Sequence, residues 1–327
     1  MAAALHETVT LNSVHPWLKR NDTPVESCPN VVSYTHDTGS GPVLFLIHGY
    51  PQSAFIWRHV APLLKSRISL FIPEIPGYGI SSPPNLPITF STMGLPLLQA
   101  FQNLFPSRPL ILGGHDRGAR IAHRLAVDLP HSPPSTPQPL DLRALILLDI
   151  VPTLVQWQAF ASAKASTAYF HWPLLASPLG PEMILAYGGD KWTHAALDRI
   201  GGGNEAARAA FRSDRAWEVY ESLFATEGAV RGSCEDYKAG AMVEPGLQEQ
   251  NQREGRKIRV PMLVGWSERG LGGMHGDVGE IWKGWVQEGT RLRGFGCGDG
   301  VGHYLPEEAA GKVAGEINGF LDEVLGR

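Results

Sequence analysis

The chain is short of charge, of cysteine and of long apolar runs, and each shortage closes off a class of function. Charged residues are 18% of 327, below the usual quarter, and 28 Lys+Arg against 32 Asp+Glu leave a formal net charge of −4. A nucleic-acid binder of this size carries a basic field, and none is present. Only three cysteines occur, Cys28, Cys234 and Cys297; odd in number and far apart, they fit neither a disulfide framework nor a metal knuckle, and they point to a reducing compartment. The first thirty residues lack the apolar stretch of a signal peptide, and nowhere do about eighteen apolar residues run together. A soluble, cytoplasmic protein without a membrane partner is expected. A homodimer is compatible with the sequence, but nothing in it requires one.

What the chain has in excess is 37 Gly and 26 Pro, nearly a fifth of its length against about 12% in average usage. With 43% hydrophobic residues beside them, this means many loops around a substantial core rather than disorder. Short apolar runs bounded by Gly or Pro predict buried strands at Val43 to Ile47, Leu70 to Ile72, Leu110 to Leu112, Leu145 to Leu148 and Met262 to Val264. After Asp116, Ile121, Leu125 and Leu129 form one apolar helix stripe, and Val313, Ile317, Phe320 and Val324 repeat it near the C-terminus. Alternating strands and helices predict an α/β fold with a mostly parallel central sheet and helices on both faces. Between about 153 and 240 the strand runs stop and an Ala-rich, aromatic, helix-like stretch takes over. The expected division is a core of residues 1–152 and 241–327 with an inserted helical cap at 153–240. Residues 131–139 (HSPPSTPQP) read as a surface loop.

The chemistry-bearing signal follows the strand at Leu110 to Leu112. Gly114 and Gly118 bracket Asp116 in the spacing of a nucleophile elbow, where a tight turn pushes the middle side chain out above the sheet. The occupant is Asp rather than Ser. Upstream, His48-Gly49-Tyr50-Pro51 follows a strand at the place that supplies a backbone N–H to an oxyanion hole; Tyr50 and Arg117 are the candidate donors. Near the C-terminus, Gly302-His303-Tyr304 lies in a Gly-rich loop before the last helix, where a general base is presented. Two strand ends can supply an acid to that imidazole, Asp149 and Glu268.

These residues resemble the α/β-hydrolase superfamily. The string from His115 to Arg120 with Leu148-Asp149-Ile150-Val151-Pro152-Thr153 resembles its haloacetate (fluoroacetate) dehalogenase branch over most of the chain, from Val31 to Leu321. The resemblance implies the α/β-hydrolase fold with a helical cap and favours Asp149 as the acid. It implies Asp116 as a nucleophile that forms an alkyl ester and His303 as the base that activates water against that ester. A haloacetate is an anion, and Arg117 and Arg120, three apart at a helix start, could grip its carboxylate. In haloalkane dehalogenases a Trp follows the nucleophile; Arg117 in that place weighs against neutral haloalkanes. The branch binds its leaving halide with cap donors, which carry over to His171, Trp172 and Tyr237. Its further cap Trp falls, on an ungapped reading back from Tyr237, in Arg199 to Gly203, where none stands, so a wider pocket is expected.

The leading expectation is therefore a hydrolase acting on carbon-halide bonds of short 2-haloacids, with neither cofactor nor metal. An epoxide hydrolase is the closest rival: it uses the same triad with cap tyrosines, for which Tyr169, Tyr187, Tyr220 and Tyr237 are available. A non-catalytic small-acid binding protein of the same fold is the remote alternative. Gly201 to Ala206 matches a dinucleotide-binding pattern, but no strand precedes it.

Overall fold

The computed structural model describes residues 4–131 and 140–326. The proline-rich segment expected as a surface loop falls, past His131, outside the described residues. Eight strands form one sheet: β1 (Lys19–Val25), β2 (Cys28–His36), β3 (Val43–Ile47), β4 (Ser69–Pro73), β5 (Leu110–His115), β6 (Leu142–Leu148), β7 (Met262–Ser267) and β8 (Leu292–Cys297). Their order is β1-β2-β4-β3-β5-β6-β7-β8. The β1–β2 and β2–β4 pairs are antiparallel and all the others are parallel.

The five expected runs are all strands, each at or near the centre of the sheet. β3 and β4 are buried along their whole length, as strands covered on both faces must be. Three strands lie outside those runs. β1 is an edge strand with alternating exposure and a proline at position 24, which an edge tolerates. β8 carries glycines at 294 and 296 that interrupt its apolar pattern.

The principal core helices are α1 (Phe90–Leu104), α2 (Arg117–Asp128) and, after the cap, α7 (Ala310–Leu325). α2 buries all but its last residue, Asp128, between the sheet and the helices around it. Between β6 and β7 the chain makes a helical excursion from Thr153 to Arg253. It includes α3 (His171–Ala176), α4 (Gly189–Ile200), α5 (Ala216–Phe224) and α6 (Glu227–Met242). α6 runs without a break through residue 240, so the helical excursion continues into the stretch expected to be core.

The parallel strands put their C-terminal ends on one edge of the sheet. β3 and β5 are neighbours there although β4 leaves from the other side of β3, which makes that edge the topological switch point where open α/β sheets bind ligands. The cap covers this edge.

Candidate active site

Asp116 sits between β5 and α2 at φ 48° and ψ −116°, a conformation rare for a residue with a Cβ and typical of the nucleophile elbow. The turn closes so tightly that a Cβ on Gly118 would lie 2.2 Å from the His48 carbonyl oxygen, so only glycine fits. The turn brings Asp116 under the loop after β3, where the Tyr50 N–H donates to Asp116 Oδ2 at 3.0 Å.

The two candidate acids lie in different surroundings. His303 Nδ1 meets Asp149 Oδ2 at 2.6 Å, and the other ring nitrogen, Nε2, is 3.9 Å from Asp116 Oδ2. The second oxygen of Asp149 accepts from the Ser267 N–H at 2.6 Å and its hydroxyl at 2.9 Å. Glu268 is exposed and lies beside Gly296 and Gly298 instead. The elbow, β6, β7 and the loop after β8 thus each contribute one part of a connected chain of polar groups. His115 steadies it further, its Nε2 donating to the His303 carbonyl at 2.8 Å.

Electrostatics couples the two ends of this chain. Burial penalises the Asp116 carboxylate, but His303, 3.9 Å away, with His115 and Arg117 behind it, outweighs that and holds it well below the usual carboxylate range. Burial also opposes charge on His303, yet Asp116 and Asp149 together push it up to about 10. The two carboxylates thus both favour the protonated form of His303.

The arginines of α2 divide in a way that spacing alone does not reveal. Arg117 is wholly buried and spends Nε and Nη2 on Asp236 of α6, at 2.8 and 2.9 Å, leaving Nη1 without a partner. Seven residues on, Arg124 is paired with Glu244 at 2.7 Å. Arg120, between them on the same face, pairs with no acid among the described residues. Its Nη1 donates to the Val151 carbonyl and the Thr153 hydroxyl, both at 3.0 Å, while Nε is buried and unpartnered. Burial and the neighbouring Arg117 pull its pKa down to about 10, which still leaves it charged at neutral pH. Arg120 lines the cavity above Asp116; Arg117 does not. The expected two-fork clamp is therefore one fork at the cavity wall and one committed to the cap.

That cavity has a volume of about 660 Å³. Asp116, Asp149 and His303 form its core wall, and His171, Trp172 and Tyr237 its cap wall. Among the described residues no hydrogen bond joins Trp172 Nε1 or Tyr237 Oη to the protein. A tryptophan does reach the cavity from α4: Trp192 Nε1 donates to the Tyr50 hydroxyl at 2.6 Å. An ungapped count from Tyr237 misses it, because two helices and the Gly201–Gly203 turn intervene. Position 202 needs glycine for a structural reason. Its N–H and that of Gly302 both donate to Glu308, and a Cβ there would lie 2.1 Å from the Gly300 carbonyl oxygen. The cap turn is thereby stitched to the histidine loop. Of the four tyrosines considered for a ring-opening role, Tyr169 and Tyr237 line the cavity; Tyr187 is exposed, and Tyr220 is buried against Glu307. Trp192, Arg199 and Glu244 carry no motif that would have singled them out.

Comparison with known proteins gives the chain its relatives. The family profile of the alpha/beta hydrolase fold matches residues 42–163. A fluoroacetate dehalogenase from Burkholderia sp. is 31% identical over 87% of this chain and 88% of its own. The chain belongs to the α/β-hydrolase family. Within that family it resembles the haloacetate dehalogenases. It is also similar to a soluble epoxide hydrolase of Corynebacterium sp. (strain C12), 25% identical over 83% of this chain and 86% of that one. A solved Pseudomonas aeruginosa protein provisionally named an epoxide hydrolase superposes with a TM-score of 0.80 at 28% identity, covering 95% of this chain and 97% of that one. The α/β hydrolase is thus an enzyme fold with relatives on both sides of the halide–epoxide division. Among the described residues no helix is long and apolar enough to cross a membrane.

Proposed function

We propose that this α/β hydrolase is a hydrolytic dehalogenase of short 2-haloacids. The observation that carries the reading is Arg120: a buried, acid-free guanidinium on the wall beside Asp116. An unpaired buried charge is costly unless an anion completes it, and a carboxylate is the anion that a planar fork fits best. A neutral epoxide gives it no partner.

With the carboxylate on Arg120, Asp116 attacks the carbon that bears the halogen. Oδ2 is held by the Tyr50 N–H, so Oδ1 is the attacking oxygen, and the carbon–halogen bond breaks as the carbon–oxygen bond forms. The halide leaves toward His171, Trp172 and Tyr237, whose N–H and O–H groups solvate it. His303, held by Asp149, then takes a proton from water through Nε2. The hydroxide adds to the Asp116 carbonyl carbon, and charge develops on Oδ2 against the Tyr50 N–H and the helix-start N–H of Arg117. Collapse releases the 2-hydroxyacid and restores the carboxylate.

Ester formation also switches the base on. Once Asp116 is esterified it loses its charge, and one of the two carboxylates that raise His303 is gone, so the imidazole releases its proton more readily.

The epoxide hydrolase reading rests on Tyr169 and Tyr237, two phenols in one cavity that could protonate a ring oxygen. Incubation with chloroacetate, fluoroacetate and styrene oxide separates the two. Halide release without diol is expected; diol from styrene oxide with no halide from either acid would replace this proposal with its rival. Binding of the acids without turnover would instead favour a small-acid binding protein.

A further inference from the structure

Arg199 stands at the end of α4, exposed on one side and lining the cavity on the other. Its Nη1 donates to the Ala168 carbonyl at 2.7 Å, its Nη2 meets His171 Nδ1 at 3.1 Å, and the guanidinium lies 5.0 Å over the Phe170 ring. No carboxylate of a described residue pairs with it.

A guanidinium can only donate. His171 Nδ1 must therefore accept, and the single proton of the neutral ring must sit on Nε2. Nε2 has no hydrogen bond to a described residue, although His171 is buried on the cavity wall. We propose that Arg199 is a positioning residue, which fixes His171 as a neutral Nε2–H donor to the departing halide. The proposal rests on the leaving-group reading above.

Charge supports the same arrangement. Burial first and Arg199 second hold His171 down to about 3, with Asp116 opposing and His303 and Arg117 adding to the effect. Tyr169, Phe170 and Tyr237 face the ring from the rest of the cap. Among the described residues, Asp116 is the one carboxylate among the principal charges that act on it. The ring stays neutral across the working range and donates a hydrogen bond without transferring its proton. Fluoride is the poorer leaving group and the stronger acceptor, so it depends more than chloride on a donor held in place.

The test uses the full chain and two variants at this exposed position. Arg199→Met removes the donor and the charge; Arg199→Gln keeps an N–H donor without charge. Long-range ¹H–¹⁵N NMR of His171 is expected to show Nε2–H in the unaltered protein and in Arg199→Gln, without titration from pH 5 to 8 in the unaltered protein. Arg199→Met is expected to lose the tautomer preference. Its kcat should fall about tenfold for fluoroacetate and much less for chloroacetate, with Arg199→Gln restoring most of the loss. An Nδ1–H ring in the unaltered protein, an unchanged tautomer in Arg199→Met, or an equal loss for both halides would overturn the proposal. If neither acid is turned over at all, the dehalogenase reading fails, and the NMR arm still decides the tautomer.

Discussion

The two walls of the cavity hold their groups by different means. On the core wall, Asp116 and Asp149 stand at strand ends with positive φ, at 48° and 55°, and main-chain N–H groups of Tyr50 and Ser267 point at their oxygens. On the cap wall, side chains hold side chains: Arg199 on His171, Trp192 on Tyr50, and Arg117 wedged over the Tyr237 ring at 4.2 Å. A group anchored by backbone at the edge of a packed sheet has little freedom to move. One anchored by other side chains can be re-aimed by a single substitution. On the proposed reading, bond-making and the hold on the substrate carboxylate belong to the core wall, where Arg120 stands, and the leaving group belongs to the cap.

The largest effects should come from the core wall. Asp116→Asn is expected to lower turnover on the order of 10³-fold or more, and His303→Ala to stop after one step with a covalent ester on Asp116, visible as a mass increase in the intact protein. Binding without any adduct would remove the ester from the scheme. In single-turnover experiments with the unaltered enzyme, ester decay should rise with pH through an apparent pKa below the value of about 10 held by the free site, because the reaction needs neutral His303 and Asp116 is by then uncharged. Ester formation needs only ionised Asp116, which is held well below the usual range, and should be flat above about pH 5. Ester decay indifferent to pH would show that His303 is not the base.

Next comes the tie between the walls. Asp236→Asn leaves Arg117 buried beside a neutral amide and also weakens the 2.6 Å hydrogen bond from the Tyr78 hydroxyl. A loss of about 3 kcal/mol in unfolding free energy is expected by denaturant titration. A negligible loss would mean that the cap docks without this pair. Arg120→Met should cost about 2–3 kcal/mol in kcat/KM for haloacids, roughly 10²-fold, while leaving the stability less affected than Asp236→Asn does. If the two substitutions have the same profile, the division between a structural and a substrate-facing arginine is wrong. The smallest effect is expected at Trp192→Phe. It removes one N–H from the Tyr50 hydroxyl and should change kcat/KM by about 1 kcal/mol, with its largest effect on bulkier 2-substituted acids; an unchanged substrate profile would take Trp192 out of the specificity argument.

Where the chain can be read without the structure, and where it cannot, follows the same line. The elbow is legible because Gly118 answers a local constraint, the 2.2 Å approach to the His48 carbonyl. The parallel strands are legible because burial on both faces demands continuous apolar runs. β1 and β8 escape because an edge strand half in water, or one interrupted by glycine, carries a weaker pattern, and β2, paired on both sides, because Ser33 and Thr35 break its apolar run. Asp149 and Glu268 look equivalent as strand-end acids, and only the pairing of β6 with β7 shows that Ser267 holds one of them for His303 while Glu268 turns outward.

The sequence by itself determined the fold, the aspartate at the elbow and the histidine in its loop, because each depends on neighbours a few residues away. The arginines of α2 show what it left undecided. Arg117, Arg120 and Arg124 follow one helical face and are chemically alike. Which of them is neutralised depends on Asp236 and Glu244, more than a hundred residues further on in the helical excursion. Only the docking of cap on core sets two of those charges aside and leaves the third facing the cavity above Asp116.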